Sequence, residues 1–261
     1  MGMLVGVIHL PALPGSPRSA LTATACAASA AADARVLAAA GYDAIIVENF
    51  GDTPFFATHV PAVTVAAMTA CAVAVHAAAS GVPLGINVLR NDAEAALAVA
   101  ICSGATFVRI NVHTGARVTD QGIVQGEAAA TLRLRRALGA EKIAVWADVD
   151  VKHSAPLGAA RPLVQEVEDL TKRGMADVVL VTGEGTGKGV DLETLAAVKR
   201  ASGTPVLVAS GATLATLAAL AAASANGVVV GSALRQGGLP GGPIDARLAQ
   251  ECAAAFRAAF V

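Results

Sequence analysis

Aromatic side chains make up only 3% of this 261-residue chain, charged ones only 15%, and the formal net charge is -1. With so few aromatics and no amphipathic basic helix, a peripheral membrane-docking face is not expected. The chain also lacks a basic stripe, the electrostatic footprint that a nucleic-acid partner requires, so none is expected. Cys26, Cys71, Cys102 and Cys252 fall in expected helices without C-x-x-C spacing. That excludes a zinc-ribbon or disulfide framework, and a reducing cytoplasm fits. The opening MGMLVGVIHLPALPG has no basic stretch and runs straight into a strand pattern, so it does not read as a signal peptide. Long apolar runs are lacking too. Only Pro61 to Ser80, uncharged unless His76 is protonated, invites a membrane reading. Its Ala, Thr and Cys are weakly apolar and Pro61 suits a first helical position, so a buried helix is expected and no transmembrane segment.

What the chain has in abundance is alanine, which lifts its apolar content to 55% and suits helices lying flat on strands. The same alanine-rich faces would suit packing against another copy, so a homo-oligomer stays open. Apolar runs rich in Val, Ile and Leu alternate eight times with helical segments, and no linker divides them. That pattern calls for a single (β/α)8 TIM barrel, normally roughly 250 residues, in one domain spanning residues 1–261.

The most informative stretch is Thr204 to Gly238. Pro205 to Ala209 and Gly227 to Val230 read as strands buried on both faces, with an Ala/Leu helix between them. Each ends in a small polar turn, Ser210-Gly211-Ala212 and Gly231-Ser232-Ala233, where a backbone can approach an oxyanion. The last two strand turns of a barrel are a frequent phosphate site. The plainer alternative is that these glycines serve tight strand-to-helix turns. A second glycine-rich stretch, Thr182 to Gly189, is not a P-loop, because Thr182 and Gly189 stand where Gly and Ser/Thr are required. It reads as a lid or a further set of amide donors, with Gly183 as a candidate phosphate ligand.

Polar residues collect at the C-terminal ends of the expected strands, which is where such barrels keep their active sites. The strand from Met3 to Leu10 ends near His9, and Ala44 to Val47 leads into Glu48 and Asn49. Leu84 to Val88 carries Asn87, and Phe107 to Asn111 carries Arg109 and Asn111 on one face. From Ile143 the fifth strand runs into Asp148, Asp150 and Lys152, which alternation sets on one face with Trp146. This is the strongest chemical signal, although a solvated salt bridge would also account for it. Thr182 ends the sixth strand. His113 to Gln125 is polar and too long for a mere connector, so a functional loop is expected.

Six motifs, GVIHLPALPGSP, VENFGDTPF, VLRNDAEAALA, FVRINVHTGARVTDQG, ADVDVKHSAPL and VTGEGTG, resemble the BtpA (BtpA/SgcQ) family along the chain. The resemblance implies a ribulose-phosphate-binding type of barrel. The family name also implies a role in photosystem I biogenesis in thylakoids, and relatives outside photosynthesis look like enzymes. Two positions depart from that pattern: ASGAT stands where GSGVT is expected, and Asn226-Gly227 where Asp-Gly is usual.

Three functions are open. In the first, an enzyme acts on a phosphorylated small molecule, a sugar phosphate or nucleotide derivative. Lys152 is then a general acid or Schiff-base amine and Asp148 or Asp150 a base, while Arg109, Asn87 and Asn111 stabilise an oxyanion. No cofactor is required, and lyase, isomerase or aldolase chemistry follows. In the second, a divalent metal held by His9, Glu48, Asp148, Asp150 and His153 supports hydrolysis, although no His-x-His marks the first strand. In the third, the protein is a non-catalytic assembly or regulatory factor.

Overall fold

The structure, a computed structural model, describes residues 2–183 and 189–260. In chain order the elements are β1 (Met3–His9), α1 (Ala23–Ala39), β2 (Ala44–Glu48), α2 (Ala62–Ala78), β3 (Leu84–Asn87), α3 (Ala93–Ser103) and β4 (Phe107–Ile110). They continue with β5 (Ala116–Thr119), β6 (Gly122–Gln125), α4 (Ala128–Ala137), β7 (Ala144–Val149), β8 (Ala155–Pro156) and α5 (Leu163–Glu168). The last are β9 (Val178–Val181), α6 (Leu192–Ala201), β10 (Val206–Val208), α7 (Leu217–Ala222), β11 (Gly227–Val230) and α8 (Ala246–Ala259). Among the described residues, eight parallel strands close a barrel in the order β1-β11-β10-β9-β7-β4-β3-β2, the (β/α)8 arrangement expected.

Closure depends on β1, which pairs with β2 on one side and with β11 on the other, Met3 opposite Gly227 and Gly6 opposite Val230. Tertiary packing supports what short strands cannot hold alone. Val, Ile and Leu on alternate positions face the helices in one large apolar layer, built on the helix side largely from Ala of α1, α2 and α3. Small side chains let those helices lie close to the sheet. Helix starts are fixed by side-chain caps: Thr22, Asp92, Asp191 and Asp245 each accept from a backbone N–H within the first turn. No described helix is long and apolar enough to cross a membrane.

The opposite alternation fills the barrel interior with Val5, Val7, Ile46, Leu180, Leu207 and Val229 around a stacked Phe107–Trp146 pair, ring centroids 3.9 Å apart. Gly85 faces that pair, and a Cβ there would overlap the Phe107 ring. The interior is therefore a packed floor, and the next inward positions toward the C-terminal rim are His9, Glu48, Asn87, Arg109 and Asp148.

Two expectations need correction. His113 to Gln125, expected as a polar functional loop without strands, carries a hairpin: Ala116–Thr119 and Gly122–Gln125 pair antiparallel, and β8 adds a third strand. Its strands alternate over too few residues to stand out in the sequence, and Gly122, at φ 96°, serves the turn. The alternation beyond Val149 also fails, because β7 ends there and Asp150 takes a left-handed backbone, φ 48°. The stretch read as a lid or amide donors falls mainly on residues 184–188, outside the described residues.

If Phe107 and Trp146 form a rigid floor, Gly85→Ala overpacks it and lowers stability by about 1–3 kcal/mol. A urea midpoint unchanged by the substitution would show that the floor yields freely.

Candidate functional site

The rim residues gather around two adjoining cavities. One, of about 50 Å³, is lined by Ser210, Gly211, Ala212, Gly231 and Ser232 on one wall and by His9, Glu48, Arg109 and Lys152 on the other. The second, of about 390 Å³, shares Glu48, Phe50, Arg109 and Lys152 with the first and adds Asn111, Arg90 and the hairpin-tip residues Asp120 and Gln121. The two turns singled out in the sequence thus share one cavity wall. Among the described residues, the amides of Gly211, Ala212 and Ser232 have no acceptor, so they remain for an anion. A Cβ on Gly231 would come within 3.1 Å of His9 Nε2. Gly183 is buried but does not line this cavity.

Arg109 and Asp148 form the centre of the mouth. Arg109 Nε and Nη2 each donate to an Asp148 carboxylate oxygen at 2.9 Å, and Asn111 Nδ2 adds a third bond at 3.0 Å. Asn87 Nδ2 donates in turn to the Arg109 carbonyl and to Asn111 Oδ1, while Asn87 Oδ1, buried, has no partner among the described residues. This geometry corrects the reading of Asp148 as a base: its side chain has 0% exposure and both oxygens are occupied, so it orients Arg109. Glu48 is the carboxylate that faces the cavities, with Oε2 3.9 Å from Arg109 Nη1 and Oε1 4.0 Å from His9 Nε2.

Asp150 departs furthest from expectation. The left-handed turn carries its carboxylate outward, 62% exposed, to an ion pair with Arg117, which also meets Glu166 at 3.5 Å. Lys152 nevertheless reaches the mouth, because Thr182 Oγ1 accepts its backbone N–H at 3.0 Å and fixes the turn. Among the described residues its ammonium forms no ion pair. Burial, reinforced by Arg109, holds the Lys152 pKa below the ordinary lysine value, with Glu48 and Asp148 opposing. Thr182 and Asn49 serve structure: Asn49 Oδ1 accepts from Leu89 N at 2.7 Å and its Nδ2 donates to Asp52.

His9 stacks on Phe50, centroids 4.5 Å apart, and its Nδ1 accepts from the Gly241 amide at 3.1 Å. That bond places the ring proton on Nε2, facing the cavity. Burial first, and then Arg235, Lys152 and Arg109, keep its pKa well below 6.5, so the ring is neutral. The five residues read as a metal set do not converge. Asp148 is committed to Arg109, Asp150 turns outward and His153 is exposed, and no described group of three His, Cys, Asp or Glu side chains is placed to hold a metal ion.

Two arginines escaped the sequence reading. Arg235 is 2% exposed and, among the described residues, is held by carbonyls: Nη1 on Gly231 at 2.7 Å, Nη2 on Val7 at 3.2 Å and Nε on Gly242 at 3.1 Å. It therefore sets a cation behind the β11 turn that makes no ion pair among the described residues, with Asp33 and Glu48 as the opposing charges. Arg90 is 6% exposed and lines the larger cavity. A charged residue directly behind Val88-Leu89 is the available signal, the same one that marks Glu48.

Comparison with known proteins places this barrel among relatives. The model of the BtpA family matches residues 2–257. The chain is 45% identical over 236 residues to a Synechocystis protein named "Photosystem I biogenesis protein BtpA", covering 90% of this chain and 81% of that protein. In structure it is similar to thiamine phosphate pyrophosphorylase from Pyrococcus furiosus, with TM-score 0.62, 11% identity, and 99% and 98% of the two chains covered. It is also similar to N-(5'-phosphoribosyl)anthranilate isomerase from Pyrococcus furiosus, with TM-score 0.57, 14% identity, and 98% and 99% covered.

Two outcomes follow from this geometry. Asp148→Ala leaves Arg109 buried without a counter-charge and costs about 3–5 kcal/mol, whereas Asp148→Ala combined with Arg109→Met recovers most of the loss; additive losses in chemical denaturation would show that the pair does not act as a unit. For His9, the unfolded chain gains a proton as pH falls below 6.5 while the folded protein refuses it. Its contribution is therefore complete above that pH and lost as pH falls. His9→Gln should flatten the slope of stability against pH between about 5 and 6.5, and an unaltered slope would mean that the ring titrates normally.

Proposed function

The chain belongs to the BtpA family, and from that premise we propose that it is an enzyme acting on a phosphorylated small molecule. The turns after β10 and β11 hold the phosphate. The observation that carries this reading is the shared cavity, in which Ser210, Gly211, Ala212, Gly231 and Ser232 face His9, Glu48, Arg109 and Lys152. The amides of Gly211, Ala212 and Ser232, without acceptors among the described residues, supply directed hydrogen bonds, and Arg235 behind the β11 turn adds positive charge that favours an anion. The names of the two structural neighbours, a thiamine phosphate pyrophosphorylase and a phosphoribosylanthranilate isomerase, support phosphate chemistry on this fold.

The anchored phosphate directs the substrate carbons toward Glu48, Arg109 and Lys152, so that binding energy remote from the reacting bonds positions them. Glu48 is the carboxylate free to take a proton. Arg109, immobilised by Asp148, and Asn111 beside it stabilise negative charge developing on a substrate oxygen. Lys152 supplies a general acid or a Schiff-base amine. Lyase, isomerase or aldolase chemistry on a carbonyl compound uses this set.

A second reading rests on one observation, the biogenesis name of the Synechocystis relative: the barrel would then act as an assembly factor, and its cavity would bind no metabolite. The readings separate in thermal denaturation against a panel of phosphorylated metabolites and inorganic phosphate, with Ser232→Asp as the blocked-site control. A ligand at about 100 times its Kd adds roughly 2.7 kcal/mol, or about 5–10 °C for a chain of this size. The enzyme reading requires a shift that the control abolishes. No shift with any phosphate ester would transfer the weight to assembly.

A further inference from the structure

Arg90 is the buried cation that the proposed chemistry leaves unused. Its backbone N–H donates to the Phe56 carbonyl at 3.1 Å, and its Nη2 donates to the Lys152 carbonyl at 2.8 Å. Both partners are neutral. Among the described residues no carboxylate pairs with Arg90, and Asp148, the main opposing charge, has both oxygens committed to Arg109 and Asn111. Burial lowers the guanidinium pKa below its usual value. A charge taken from water in this way is costly unless something pairs with it.

The surroundings point to the missing partner. Arg90 forms part of the wall of the 390 Å³ cavity, beside Lys152, whose ammonium also forms no ion pair among the described residues. The acidic side chains lining that cavity are Glu48, which faces Arg109, and Asp120 on the exposed hairpin tip. Cationic groups thus outnumber carboxylates in the deep part of the cavity, which falls within the range of small-ligand pockets, about 300–1,000 Å³. This cavity meets the phosphate cavity along Glu48, Phe50, Arg109 and Lys152, so one molecule can occupy both.

We propose that Arg90 anchors a second anionic group, so that the substrate is a doubly anionic small molecule with a phosphate at one end and a carboxylate or second phosphate at the other. This rests on the phosphate reading of the β10 and β11 turns. Arg90 Nε and Nη1 make no hydrogen bond to a described residue, so their N–H groups remain to donate to the oxygens of either anion.

Calorimetric titration of the full chain with two matched pairs tests the proposal: glycerol 3-phosphate against 3-phosphoglycerate, and fructose 6-phosphate against fructose 1,6-bisphosphate. The doubly charged member of at least one pair should bind about tenfold more tightly or better. The pair that shows the gain identifies the second anion as carboxylate or phosphate. Arg90→Gln should remove the gain and leave the singly charged ligand's Kd within about twofold, and Arg90→Lys should restore part of it. Equal affinities within both pairs would overturn the second subsite and leave the phosphate site standing. A gain that survives Arg90→Gln would place the second anion elsewhere and also overturn it. Binding by none of the four would overturn both readings. The comparison on the unaltered protein holds even if an Arg90 variant fails to fold.

Discussion

The bidentate bridge between Arg109 and Asp148 is the constraint on which the mouth of this barrel depends. Below it the interior is sealed by Phe107 and Trp146, and above it the cavities open. A guanidinium at that boundary is almost wholly withdrawn from water and persists only with a fixed counter-charge. Asp148 supplies that charge, and Asn111 and Asn87 extend the network across β3, β4 and β7. A buried pair of this kind is poor evidence of stability, since its desolvation cost is of the order of its attraction. What it provides is a cation whose orientation is set before any ligand arrives, the preorganisation that electrostatic stabilisation of a developing oxyanion requires.

Once Asp148 is committed, the charges around the cavities no longer balance. Arg235 is held by carbonyls, Arg90 by a carbonyl and a ligand-sized space, and Lys152 by neither a carboxylate nor a described acceptor at its ammonium. Glu48 faces Arg109 and His9. An overall charge of -1 hides this local excess completely. Such concentration of one sign in a cleft with low-dielectric walls focuses the field on the mouth and favours anionic ligands well before contact. Arg235, Lys152 and Arg109 also explain why His9 stays neutral, because burial and each of these positive charges act in the same direction on its ring.

How much of this was legible in the sequence depended on whether the residue lay inside a strand. Alternation holds wherever the ladder holds, so His9, Asn87, Arg109 and Asp148 can be placed at the rim from period two, and Glu48 from its place at a strand end. The rule has no authority past a strand end. Asp150 was assigned inward by continuing the alternation one residue beyond Val149, where the backbone turns left-handed and sends the carboxylate to Arg117. Lys152 reaches the mouth through the turn that Thr182 holds, so alternation placed it there for the wrong reason. Arg90 and Arg235 follow β3 and β11 in irregular backbone, where no periodicity marks a direction, and only tertiary packing makes them buried. The hairpin was hidden differently, because two short strands separated by a tight turn look like any polar loop until β8 pairs with them.

The same electrostatics bears on what Lys152 contributes. Burial and Arg109 both favour loss of its proton, which would suit an amine that attacks a carbonyl. An anionic ligand changes that balance. A phosphate in the turns of β10 and β11, and still more a second anion on Arg90, brings negative charge to the wall that Lys152 shares with both cavities. Opposite charge nearby restores the protonated form, working against burial. On the proposed reading, the ligand that fills the site therefore favours the protonated form of Lys152. A Schiff-base route would have to remove that proton against the substrate's own field, whereas proton donation to a substrate oxygen follows from it. On the proposed reading, with Glu48 as the facing carboxylate and Arg109 beside it, the geometry favours moving protons along a carbonyl compound over covalent capture.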